Sequence, residues 1–163
     1  MIIGEINKRT SRGDTLYILG DFAFKPNNWR SKINLKNVIL IKGNHCPSLE
    51  QCRLAFGKDK VYDTLEIKMS GVKTFLSHYP HLIWPSSHYG SFHLYGHVHD
   101  SRTDFWNEIP YLRNIKSLDV CPESYKRHFG DFGIFDENQI YEILNKKTGH
   151  DPVEWYRDTY GPI

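Results

Sequence analysis

Apolar positions in this chain come in short runs rather than long stripes. Residues 15–19 (Thr-Leu-Tyr-Ile-Leu) and 38–41 (Val-Ile-Leu-Ile) are rich in β-branched and aromatic side chains and end at glycine or polar positions, the pattern of buried strands. Runs at 61–69 and 72–76 read as two strands joined by a tight hairpin at Ser70-Gly71. Residues 92–95, 117–121 and 132–135 are further strand candidates. Helical spacing is visible at 2–9, where Ile2, Ile3 and Ile6 share a face and Glu5, Lys8 and Arg9 lie outside it. It is also visible at 28–35, with Trp29 and Ile33 inward, and at 47–56, with Leu49 and Leu54 on the apolar face. Residues 137–147 fit a helix or a last strand equally. Residues 81–90 read as a loop, and 148–163 as a polar, aromatic-spotted tail behind a single domain over 1–147. The chain shows no internal repeat and no low-complexity segment.

The residues just past each strand carry the candidate chemistry. The run at 15–19 ends in Gly20-Asp21 and that at 38–41 leads into Gly43-Asn44-His45. The run at 72–76 leads into Ser77-His78-Tyr79-Pro80, and that at 92–95 into Gly96-His97-Val98-His99. Each motif alone has an ordinary reading: an aspartate that caps a turn, or histidines on a loop. Four strands ending in metal-ligand types point instead to a shared site, because loops at the carboxyl ends of strands converge in sheets covered by helices. Carboxylate, amide oxygen and imidazole without thiolate suit divalent Mn²⁺, Fe²⁺, Zn²⁺ or Ni²⁺ and argue against a closed structural zinc site. Open metal positions imply catalysis.

Composition sets few further bounds. The 163 residues carry a net charge of +2, with 39% hydrophobic and 25% charged residues, a balance that calls for neither nucleic acid nor an anionic membrane. Cys46, Cys52 and Cys121 form an odd set without a CxxC pair, which reads as reduced thiols in a cytoplasmic protein. There is no basic, apolar leader and no run approaching the ~18 residues of a membrane span.

In this order the four motifs resemble those of the calcineurin-like metallophosphoesterases, and the Leu19-Gly20-Asp21-Phe22 and His93-Leu94-Tyr95-Gly96-His97 wording resembles the small bacterial and phage-type members. The resemblance spans roughly residues 13–135. It implies an α/β (α+β) fold, a two-sheet β-sandwich flanked by helices, with the site at one edge. It further implies that Asp21 bridges two divalent ions, with Mn²⁺ the first expectation. Asn44, His78 and His97 would complete one ion and His99 would help hold the other. His45, not a ligand, would sit by the scissile phosphate as acid or charge stabiliser. The reaction implied is hydrolysis of a phosphomonoester or phosphodiester by metal-activated water, with a nucleotide or nucleic acid among the substrates the class admits.

The family pattern opens with an Asp-x-His strand that has no counterpart ahead of Asp21. The expectation is therefore a fold short of its first strand, starting partway through the family's first helix. The second ion would keep only Asp21 and His99. A sheet edge would be left unpaired and open to homo-oligomerisation. Two readings then compete with a working enzyme: a single-metal or inactive remnant, and an interaction module built on the same fold. Retention of His45, which binds no metal in the family, favours the enzyme. Among other residues, Arg102 could clamp a phosphate oxygen or pair with Asp100 or Asp104. His93 reads as a packed structural histidine, His81 and His88 as a loop rim, and Tyr79 and Trp84 as packing or base-stacking aromatics. His128 and His150 carry no signal.

Overall fold

The computed structural model describes residues 2–149 together with Arg157 and Gly161, so the tail beyond Gly149, including His150, lies otherwise outside the described residues. Seven strands form two sheets among the described residues. In the first, β1 (Thr15–Leu19), β2 (Asn37–Ile41) and the two-residue β3 (Val61–Tyr62) run parallel in that order. In the second, β4 (Thr64–Met69) pairs antiparallel with β5 (Val72–Ser77). β6 (Phe92–Tyr95) and β7 (Ser117–Asp119) continue that sheet in parallel. The mixed α/β class and the two sheets expected from sequence are present. The run at 61–69 is divided, however: its first two residues belong to one sheet and the rest to the other, the chain changing sheets at Asp63.

Period-two alternation sorts the core into layers. Leu16, Ile18, Val38 and Leu40 point to one face of the first sheet and pack against α1 (Ile2–Arg9) through Ile3 and Ile6, and against α3 (Leu49–Phe56) through Cys52 and Phe56. Tyr17, Leu19 and Ile41 point to the other face. There they meet Met69, Leu76, Phe92, Leu94 and Leu118 of the second sheet, with Ile140 and Leu144 of α7 (Glu137–Asn145) completing the cluster. On the outer face of the second sheet Phe75 packs with Trp84, Tyr111 and Ile115. This outer layer holds α4 (Thr103–Glu108) and α5 (Pro110–Asn114). The two sheets thus share one apolar layer, with helices outside.

Local chemistry explains several boundaries. Ser48 caps α3 by accepting from the Gln51 N–H at 3.3 Å, and Asp136 with Gln139 forms a reciprocal capping box at the start of α7, so the stretch open between helix and strand is helix over Glu137–Asn145. At the hairpin, Ser70 (φ +47°) and Gly71 (φ +81°) both take positive φ, as a two-residue I′ connection requires. Four expectations are corrected. α2 spans only Pro26–Arg30, so Ile33 is buried beyond its end while Trp29 is exposed. In α3 the inward face is Cys52 and Phe56; Leu49 and Leu54 face solvent. The strand candidate at 117–121 ladders only as Ser117–Asp119, and residues 132–135 form no strand. There Gly133 is pressed against the Tyr125 ring of α6 (Pro122–Phe129).

Candidate metal centre

β1 and β2 are parallel neighbours in one sheet, β5 and β6 in the other, so each pair releases its chain side by side at the carboxyl end. Asp21 follows β1, Asn44 and His45 follow β2, His78 follows β5, and His97 follows β6. His78 joins the sheets: its Nδ1 lies 2.9 Å from the Leu19 carbonyl at the end of β1, and the Gly96 N–H donates to the His78 carbonyl at 3.1 Å. A carbonyl only accepts, so Nδ1 carries the proton and Nε2 presents its lone pair. Around Nε2 stand Asn44 Oδ1 at 2.9 Å, His97 Nδ1 at 3.2 Å and Asp21 Oδ2 at 3.4 Å. A single proton could serve one of these contacts. A divalent cation would serve all four electron-pair donors, and an imidazole with its far nitrogen fixed on a backbone carbonyl is the usual outer support of a metal ligand. The residues present therefore fit a divalent ion.

The backbone is shaped for this convergence. Asp21, His97, His99 and Asp100 all take positive φ (+40°, +65°, +48° and +61°), a strain that side chains accept at functional sites when the surroundings enforce it. Gly20 (φ +103°) is required because a Cβ there would overlap the His78 ring. A Cβ at Gly43 would likewise strike the Asp21 carboxylate. Asp21 divides its oxygens: Oδ1 accepts the His45 N–H at 2.8 Å and Oδ2 faces His78. That hydrogen bond holds the exposed His45 loop against the cluster. Tyr79, also exposed, lays its ring 4.6 Å from that of His97.

His99 stands apart from Asp21, His78 and His97. It groups with Cys121 and Glu123, its Nδ1 lying 3.4 Å from Glu123 Oε2. Sequence reasoning named neither partner. Both groups line one cavity of about 470 Å³. Its far wall is apolar, made by Ile2, Ile3 and Ile6 of α1 and Leu16 and Ile18 of β1. β1 pairs only with β2 among the described residues, so the cavity runs beside an open sheet edge.

Asp119, at the end of β7, was also missed. Its buried carboxylate accepts the Asp100 N–H (Oδ2, 2.8 Å) and the Cys121 N–H (Oδ1, 2.8 Å), tying together the loops that carry His99 and Cys121. Burial pushes this carboxyl above the usual range despite those hydrogen bonds, and burial beside Asp119 pushes the Cys121 thiol strongly up. Arg102 is exposed just before α4 and is not part of the cavity wall. Arg127 has taken the acidic partners considered for Arg102, pairing with Asp100 and, at 2.9 Å, with Asp104. Trp84 is buried, its Nε1–H donating to Ser91 Oγ at 2.9 Å, a packing role.

No protein-family model matches the chain, and no curated protein matches it. Among solved structures it is similar to a protein of unknown function, AQ665, from Aquifex aeolicus. Identity is 23%, over 86% of this chain and 82% of that one, with a TM-score of 0.61. That likeness shows a shared fold. Among the described residues no helix is long and apolar enough to cross a membrane.

Proposed function

We propose that this protein is a metal-dependent phosphoesterase of calcineurin-like type. The carrying observation is the convergence of Asn44 Oδ1, His97 Nδ1 and Asp21 Oδ2 on His78 Nε2, four strand ends supplying one donor each. A divalent ion bound there, with Mn²⁺ first, would neutralise phosphoryl oxygens and supply an activated water. The chain's own residues do the rest. Asp21 ties the His45 backbone to the cluster through the His45 N–H, and the exposed His45 imidazole is the group that would give a proton to a leaving oxygen. The exposed Tyr79 ring lies against that of His97 and would flank the ester group. Mono- and diesters both fit this chemistry.

The test is hydrolysis of a bis-aryl phosphodiester and an aryl phosphomonoester by Mn²⁺-loaded protein. Turnover should fall by about 10²–10⁴-fold in His45→Ala with bound metal unchanged, the range of a lost general acid. Turnover equal in wild type and Asp21→Asn would overturn the reading. A second reading, an interaction module without turnover, is favoured by the apolar cavity beside the open edge of β1. It predicts self-association or strand capture at that edge. A monomer at micromolar concentration by light scattering would count against self-association.

A further inference from the structure

The group left outside the first cluster has the makings of a centre of its own. Glu123 Oε2 is shut off from solvent and lacks a hydrogen-bond partner, yet it lies 3.4 Å from His99 Nδ1. A carboxylate oxygen shut off from solvent and without a hydrogen bond calls for a charged partner, which a cation held between it and the ring nitrogen would supply. That separation equals the roughly 3.4 Å edge of a tetrahedron whose metal–nitrogen and metal–oxygen bonds are about 2.0–2.1 Å. The Cys121 sulfur completes a face: all three ligand atoms lie within 4.8 Å of one another. Asp119 positions the pair from behind through the Asp100 and Cys121 amides, an outer hydrogen-bonding frame of the kind that orients ligands.

We infer that His99, Cys121 and Glu123 form a second metal site, selective for a borderline-soft divalent ion of the Zn²⁺ type. Thiolate, imidazole and carboxylate together exceed in softness the oxygen and nitrogen donors around His78, so the two sites differ in the metal they prefer. Three protein ligands leave the fourth tetrahedral position open, and the site lies on the cavity wall shared with the first cluster. This inference concerns binding alone and stands whether or not the chain turns over a phosphate ester.

Cobalt is the probe, because Co²⁺ bound by a thiolate in a tetrahedral site shows a near-ultraviolet sulfur-to-metal charge-transfer band. The full chain titrated with Co²⁺ should show that band. It should vanish in Cys121→Ser and persist in Cys46→Ser and Asp21→Asn. Zn²⁺ should displace the cobalt, and Glu123→Gln should weaken Zn²⁺ binding at least tenfold. Glu123 is half-exposed, so this variant reports on the site even where Cys121→Ser perturbs packing. Absence of the band in wild type, its survival in Cys121→Ser, or its loss in Asp21→Asn would overturn a separate thiolate site.

Discussion

Two histidines of this molecule are buried almost alike and face different surroundings. His78 is 3% exposed and His93 is fully buried. Each has Nδ1 against a backbone carbonyl, Leu19 O at 2.9 Å for His78 and Phe75 O at 3.1 Å for His93, so both present Nε2 as a lone pair. At His93 that lone pair receives the His81 backbone N–H at 3.0 Å, and the ring packs among Phe75, Trp84 and Tyr95. Its hydrogen-bonding capacity is complete inside the protein. At His78 the lone pair meets an amide oxygen, a carboxylate oxygen and a second imidazole nitrogen. Burial therefore does not separate a structural histidine from a candidate ligand; what faces the second nitrogen does.

Metal binding should set the two histidines furthest apart. His78→Gln should weaken Mn²⁺ affinity by about a thousandfold, beyond the 10–100-fold typical of lost outer partners, whereas His93→Gln should leave it within twofold. Isothermal titration at neutral pH reads both. Equal losses would mean that His93 also acts on the centre.

Next in size is the response of stability to acid. Desolvation lowers the His93 pKa from 6.5 to about 4, the neighbouring His81 adding to the shift and the Phe75 hydrogen bond opposing it. The folded protein thus excludes a proton that the unfolded chain binds. Stability from this residue is fully present above pH 6.5 and is lost as pH falls toward 4, at most about 3 kcal/mol. In metal-free protein, urea unfolding of wild type should weaken over that window more steeply than that of His93→Gln, whose amide can both donate to Phe75 O and accept from His81 N–H. Parallel curves would show that His93 charges without penalty.

How far these roles were legible in the sequence depends on where the partners lie. Asp21, Asn44, His78 and His97 each sit just past a strand, so the periodicity that marks the strands also marks the candidate ligands. His93 lies between apolar neighbours on β6, and alternation alone turns it away from the shared core toward Trp84. Asp119, Cys121 and Glu123 left no such mark. Asp119 and Cys121 fall in the 117–121 segment read as one strand and Glu123 lies beyond it; they come beside the loop of His99 because β6 and β7 are parallel neighbours. The division of 61–69 was equally hidden, since Val61-Tyr62 and the residues after Asp63 share one apolar pattern while serving different sheets. Helices α4 and α5 are too short to show a helical period, and α6 is mostly polar, with only Ser124 and Tyr125 buried.

The smallest effect discriminates most finely between the two kinds of histidine. If Asn44 Oδ1 and the His78 Nε2 lone pair are two acceptors held together to receive a cation, Asn44→Ala removes no hydrogen bond from the metal-free protein. Asn44 is also exposed, and a surface change of this kind stays within about 0.5 kcal/mol. The same variant should still lose about tenfold in Mn²⁺ affinity, one oxygen ligand having gone. An amide turned with its NH₂ toward Nε2 would behave in the opposite way. It would complete His78 as the His81 amide completes His93, and Asn44→Ala would then cost about 1 kcal/mol without metal. Urea unfolding of the variant in a chelator, beside its Mn²⁺ titration, separates the two. A stability cost without an affinity loss would make His78 a second structural histidine.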